Sequence, residues 1–288
     1  MVSKMTGPLL WLIAVNYHRE AETRSFVKAF RALDEANRMQ ILVVDNTEES
    51  NKSQLLHQFD SPNGSVRVLR PGKNIGYFGG AAWGLKKLLE KDVLPDWVAV
   101  SNTDICPVDK DFLQILAGIS AQQPASVVAP AITAMPSGRQ QNPYMRKRLT
   151  YARMVINVLL FRSTFLYGVW EKISGLKHSV TNWFRKKMGS LSLCLEPCLL
   201  YAPHGSFILF HRSYFEEGGN LDFGAFLFGE EIFIAETARR LGLEVHFEPA
   251  LALIHQEHAA TGLLKNKRMV QYLSESADYL FHTFYRKK

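Results

Sequence analysis

Two periods of apolar spacing alternate along the first 130 residues. Leu9 to Tyr17 is a nearly unbroken apolar run that predicts a buried strand, and the 3.6-residue spacing from Glu20 to Asn37 predicts a helix. Gln40 to Asp45 and Ser65 to Leu69 read as further strands, Asn74 to Lys91 as a helix opened by glycines, and Trp97 to Ser101 as a fourth strand. A helix over Asp109 to Ala121 and a short strand over Val127 to Pro130 follow. Such alternation predicts an α/β fold with a mostly parallel central sheet and helices on both faces.

The pattern then breaks. Pro136 to Pro143 is rich in turn formers, and Tyr144 to Lys187 is basic, aromatic and helical in spacing. Strand-like sequence returns at Gly205 to His211, and Glu230 to Leu241 has helical spacing that stops at Gly242, a residue suited to a left-handed helix end. Leu243 to Phe247 and Ala250 to His255 read as two strands, and Leu263 to Tyr285 as a closing helix or helix pair.

With 288 residues and 47% hydrophobic content, the chain can bury a full core. Its three cysteines (Cys106, Cys194, Cys198) are too few for a disulfide scaffold and complete no zinc set with nearby histidines, so a reducing compartment is expected. No window of 18 apolar residues exists, and the apolar run Pro8 to Val15 is too short for a secretion signal. A cytoplasmic protein is the reading. The net charge of +7 is uneven: Arg139 to Lys187 holds eleven Lys/Arg against one acid, Glu171, which leaves 23 basic and 26 acidic residues elsewhere. The partner of the basic segment is therefore to be sought at that segment.

The chemistry-bearing residues stand where apolar runs stop, which is where an α/β sheet opens its ligand crevice. Asp45 and Asn46 end one strand; an Asp there can accept from the ring N–H of a uracil or thymine, or simply form a turn. Asn74, Gly76, Gly79 and Gly80 open a helix, where glycines let backbone approach a ligand or let helix pack on sheet. Asn102 and Asp104 end another strand; an extended chain would point both to one side, toward Mg2+ or Mn2+ and a diphosphate. Glu230 and Glu231 sit at a helix start, where they cap the helix or, as adjacent like charges, raise one pKa into the range of a general base. His255 and His258 follow the last strand-like run.

In order and spacing, this set resembles the inverting glycosyltransferases of family two, rhamnosyltransferase-like members among them, with the GT-A fold. The likeness covers about Leu9 to Gly138 and Pro203 to Gly262. Asn74 to Gly80 is similar to the family's N-x-G-(aromatic)-x-G-G signature. Gly218-Gly219-Asn220-Leu221-Asp222, with Phe226 and Glu230-Glu231, is similar to its "G-G-(aromatic)-D … F … E-D" block, and Asn102-Thr103-Asp104 to its degenerate D-x-D. The resemblance implies Glu231 as catalytic base beside Glu230, the Asn16-Tyr17 turn and Asp45 for the nucleotide, and Gly205 and Asp222 on the acceptor side. Asp104 and His255 would hold Mg2+ or Mn2+. The base is Glu where the family carries Asp, and Phe233 and Thr237 replace a common Asp and Arg. The division expected is 1–138 for the nucleotide-sugar donor, 139–202 as a basic helical insertion, and 203–288 for acceptor and catalysis.

The insertion interleaves Arg and Lys with Trp170, Trp183, Phe161, Phe165, Phe184 and Tyr167, beside an apolar face from Met154 to Phe161. That composition suits an anionic membrane, with Arg146, Lys147 and Arg148 as its charges; single-stranded nucleic acid is a weaker fit and not expected as a partner. The expectation is transfer of a sugar, dTDP-L-rhamnose being the favoured donor, to a glycan or lipid-linked acceptor in bacterial surface polysaccharide synthesis, at the inner face of the cytoplasmic membrane. Rivals are a sugar nucleotidyltransferase, whose Gly- and Lys-rich triphosphate loop Val15 to Glu20 lacks, and a degenerate domain serving as a membrane or nucleic-acid binding module. Sequence leaves the oligomeric state open.

Overall fold

The computed structural model describes residues 8–48, 64–122, 126–169, 196–256 and 267–286. Expectations resting on Cys194, His258, Trp170, Trp183, Phe184 and the rest of 170–195 lie outside the described residues. Among these, ten strands form one sheet. β1 (Leu10–Asn16) runs parallel to both β2 (Met39–Asp45) and β4 (Trp97–Ser101), and β2 carries β3 (Val66–Leu69), also parallel. β9 (Phe207–His211) enters antiparallel between β4 and β6 (Val127–Met135), so the sheet is mixed rather than parallel throughout. β10 (Val245–Gln256) pairs in parallel with β6 and antiparallel with β5 (Ile105–Pro107) and β8 (Cys198–Leu200).

The apolar run of β1 is buried on both sides because each side meets a helix layer. Leu10, Leu12 and Ala14 pack with Phe26 and Phe30 of α1 (Glu20–Arg31) and with Phe112 and Leu116 of α3 (Phe112–Gln122). Trp11 and Ile13 belong to the other core, with Phe78 and Leu85 of α2 (Tyr77–Leu89), Phe233 and Ile234 of α6 (Glu230–Arg240), and Leu280 of α7 (Lys267–Leu280). Period-two alternation in the strand sends successive side chains to opposite layers.

Several expected elements change extent. The two strands expected around Pro249 are one, β10, whose pairing with β6 shifts register between Glu248 and Ala252; proline lacks the N–H that a regular ladder needs there. β6 continues to Met135, beyond the expected Pro130, and β7 (Arg139–Gln140) folds back on it. The basic segment thus begins in a sheet strand, and β8 follows it in the sequence. Between them α4 (Tyr151–Phe161), capped by Thr150 Oγ1 accepting from the Arg153 N–H at 3.2 Å, packs its Met154 and Val158 inward against α7.

One expectation is corrected here. Arg148 is no membrane-facing charge: its Nε and Nη2 donate to the fully buried Glu236 of α6 at 2.6 and 3.1 Å, and its guanidinium stacks 4.3 Å over the Tyr285 ring. Glu236 also accepts from Arg239 and from the Tyr201 hydroxyl at 2.7 Å. The network ties the basic segment to the helix that carries Glu230 and Glu231.

Candidate active site

At the start of α6, Gly229 takes a left-handed conformation (φ 86°), and the two acids that follow have different surroundings. Glu230 is buried, and its Oε1 accepts from the Phe228 N–H at 3.0 Å. Burial, then the charge of Glu231, pushes its pKa up to about 8. Glu231 keeps part of its surface exposed. Burial raises its pKa too, opposed by its own N–H and that of Gly205, both donating to the carboxylate. Gly205 is required there by space: a Cβ would stand 2.7 Å from Glu231 Oε1. On the carbonyl side of the same residue the Tyr77 hydroxyl donates to Gly205 O at 3.0 Å. Burial raises the Tyr77 pKa well above its ordinary value, helped by the charges of Glu230, Glu231 and Asp104.

Asp104 lies just past β4. The chain turns through Thr103 and Asp104, so the alternation expected to align Asn102 with Asp104 ends at Ser101. Asn102 instead donates its N–H to the Ser206 carbonyl at 2.9 Å, fixing this turn against the start of β9. Asp104 Oδ1 is buried with no hydrogen-bond donor; His255 Nε2 stands 3.1 Å away, close enough to pair but not aligned as a hydrogen bond. His255 Nδ1 contacts Gln141 Oε1 at 2.8 Å. An orphaned carboxylate oxygen beside an imidazole nitrogen fits Mg2+ or Mn2+ that draws its other ligands from a diphosphate and water. Among the described residues no third His, Cys, Asp or Glu joins them.

Beyond the ends of β1 and β2, Asn16 Nδ2 donates to Asp45 Oδ1 at 2.8 Å, and the Thr47 N–H donates to the same oxygen at 3.2 Å. Arg70 Nη2 stands 2.8 Å from Asp45 Oδ2 as an ion pair without hydrogen-bond alignment. Asp45 is fully buried, so a base reaching it would compete with Arg70. Tyr17 is exposed, and its hydroxyl donates to Glu48 and pairs with Asn74. Asn74 Oδ1 accepts from the Gly76 N–H at 3.0 Å. Gly76 (φ 82°) has no room for a side chain, since a Cβ would meet the Phe226 carbonyl oxygen at 2.2 Å. Gly80 lies tightly against Val15 and Asn46, whereas Gly79 is less confined. Packing accounts for Gly76 and Gly80. Asp222 is exposed on the loop before α6, its N–H held by Asn220 Oδ1 at 3.0 Å.

Sequence reading missed Tyr77, Gln141, Asn142, Tyr144, His204 and Arg70. The stem of the basic segment supplies three of these. Asn142 Oδ1 accepts from the His204 N–H at 2.9 Å, and the Tyr144 ring meets His204 edge-on at 5.3 Å. Glu231, followed by burial and Glu230, pushes the Tyr144 pKa up to about 12.

Residues 11–219, well over half of the chain, match the model of the family described as Glycosyl transferase family 2. No curated protein matches the chain. Among solved structures it is similar to GalNAc-T7 with UDP, GalNAc and Mn2+ (TM-score 0.59, 14% identity, 88% of this chain, 44% of that one). The chain thus spans less than half the length of that relative. It is also similar to residues 1–349 of TarS from S. aureus (TM-score 0.53, 12% identity, 95% of this chain and 72% of that one). Pyrobaculum calidifontis mannosyltransferase PcManGT, in complex with GDP-Man and Mn2+, matches at a TM-score of 0.48 and 11% identity over 96% of this chain and 75% of its own. The likenesses to GalNAc-T7 and TarS give the fold, that of GT-A nucleotide-sugar transferases. The chain belongs to glycosyl transferase family 2.

Proposed function

We propose that the protein is a metal-dependent, inverting glycosyltransferase with Glu231 as its base. The observation that carries this reading is the setting of Glu231: a partly exposed carboxylate of raised pKa, held by the Gly205 N–H and close enough for its charge to act on the Tyr77 hydroxyl, as the charge of Asp104 also does. A carboxylate of raised pKa is a stronger base than an ordinary one. An acceptor hydroxyl gives its proton to Glu231 as its oxygen bonds to the anomeric carbon. The bond from that carbon to the diphosphate oxygen breaks on the opposite face, and the nucleoside diphosphate leaves with that electron pair. Asn16, Tyr17, Asp45, Asn74 and Asn102 line the nucleotide end, and Gly205 and Asp222 the acceptor end. Asp104 and His255 would hold Mg2+ or Mn2+, which neutralises charge on the departing diphosphate. Motif resemblance makes dTDP-L-rhamnose the first donor to try and a glycan or lipid-linked acceptor the expected recipient.

Asp104→Ala is expected to abolish metal-dependent nucleoside diphosphate binding, because among the described residues no cluster of three His, Cys, Asp or Glu forms that could hold the ion without it. Calorimetry with dTDP and UDP in Mn2+ reads this directly. Affinity equal to wild type would remove Asp104 from the metal site.

A second feature supports work at a membrane surface. Ile156 and Leu159 of α4 are exposed, followed by Phe165 (75% exposed), Leu166 and Val169 in the helical turn at 164–169. Arg146, Lys147 and Arg153 are exposed nearby and, among the described residues, form no ion pair, unlike Arg148 and Arg162. Each basic residue close to an anionic bilayer contributes on the order of 1 kcal/mol, screened by salt. Changing Arg146, Lys147 and Arg153 to Glu should therefore release the protein from anionic vesicles in flotation, with donor hydrolysis retained. Equal flotation on neutral and anionic vesicles, or on neither, contradicts the electrostatic anchor. Among the described residues no helix is long and apolar enough to cross a membrane.

A further inference from the structure

Two imidazoles lie side by side in this site, with ring centroids 6.2 Å apart, and hydrogen bonding gives them opposite tasks. His204 Nδ1 accepts from the backbone N–H of Ser206 at 3.2 Å and lies 2.9 Å from the Ser206 hydroxyl. A backbone N–H can only donate, so Nδ1 carries the lone pair and the ring's single proton sits on Nε2. With Nδ1 occupied as an acceptor, the ring is neutral. Among the described residues Nε2 has no hydrogen-bond partner. His204 thus offers a fixed, neutral N–H donor. His255 is oriented the other way: Nδ1 faces the Gln141 amide oxygen, an acceptor, and Nε2 stands toward Asp104.

The same His-x-Ser turn recurs at His211, where Nδ1 accepts from the Ser213 N–H at 3.3 Å. There it caps α5 (Arg212–Glu216), and the ring packs edge-on against buried Trp97. The turn at His204 caps no helix. It leads into β9, and its ring stands between Tyr144 and His255. The adjoining Gly205 peptide holds Glu231. His204 therefore sits between the base and the Asp104–His255 pair, where a cation-bound diphosphate separates from the sugar.

We propose that His204 is a binding residue for the donor's diphosphate, donating its Nε2–H to a phosphate oxygen in the tautomer that Ser206 imposes. The proposal rests on the glycosyltransferase reading and adds a contact outside the Asp104–His255 pair. A neutral donor adds no charge beside a site that also takes a cation, and it strengthens as negative charge gathers on the leaving oxygen.

Calorimetry with UDP, dTDP and GDP in Mn2+, with the matching nucleoside monophosphates, and with Mn2+ alone tests this in the full chain. His204→Ala is expected to weaken diphosphate binding by about tenfold or more, the scale of a hydrogen bond to a charged group. Monophosphate affinity and Mn2+ affinity should stay at wild-type values. His204→Gln, which keeps an N–H donor, should recover part of the loss. Diphosphate affinity within about twofold of wild type in His204→Ala would overturn the proposal. So would equal losses for mono- and diphosphate, which would mark a structural turn, or a parallel loss of Mn2+ affinity, which would mean that His204 acts through His255. If the wild type bound none of the three diphosphates, the glycosyltransferase reading would fall with it.

Discussion

Glu231→Gln is expected to leave nucleotide binding nearly intact and to cut turnover about 10²-fold or more, the usual scale of losing a general base. The amide keeps the size of the side chain and can still accept from the Gly205 N–H, so the loss would be chemical rather than structural. Glu230→Gln should do far less to turnover, since the Glu230 carboxylate is spent on the Phe228 N–H inside the fold. Full activity in Glu231→Gln with a dead Glu230→Gln would move the base by one residue. Burial raises both pKa values, Glu230 to about 8, so kcat/KM should rise with pH through a limb above the ordinary carboxylate range. That limb should vanish from the residual rate of Glu231→Gln. Stability carries the opposite sign. A pair that binds its proton more tightly when folded stabilises at low pH, and that contribution fades as pH climbs from the ordinary carboxylate range toward about 8.

Arg148→Glu is expected to lower stability by about 3 kcal/mol or more, within the range for breaking a pair around a buried charge. It would set a second carboxylate against fully buried Glu236 and remove the guanidinium from the Tyr285 ring. Arg148→Ala should cost less, because Arg239 and the Tyr201 hydroxyl still reach Glu236 and Arg148 keeps 39% of its side chain exposed. Urea midpoints for the two variants measure the difference. A wild-type midpoint for Arg148→Glu would show the network to be idle, and would return Arg148 to the surface charges.

Much of this fold is legible along the chain because its strands are buried on both sides. Runs such as Leu10 to Asn16 and Met39 to Asp45 therefore read as continuous apolar segments. The three-residue strands β5 and β8 leave no such signal and exist through their pairing with β10. In the site, Glu230, Glu231 and Asp104 show themselves locally, as acids at element ends. Gln141, Tyr144 and His204 do not: each sits in an irregular segment and acquires meaning only when β6, β9 and β10 bring Ile132, Phe207 and His255 into one sheet. The one local hint at His204 is the His-x-Ser turn, and His211 shows the same turn without a site. Asp45 is legible only in part. Its place past a buried strand suggests a group facing ligand, but its partners Asn16 and Arg70 come from elsewhere in the chain.

The most direct test of the central claim is release of nucleoside diphosphate from dTDP-, UDP- and GDP-sugars in Mn2+, by wild type and by Glu231→Gln. The account predicts turnover of at least one donor by wild type, lost on chelation and reduced about 10²-fold in the variant. No donor turned over, or equal rates in the two proteins, would contradict it.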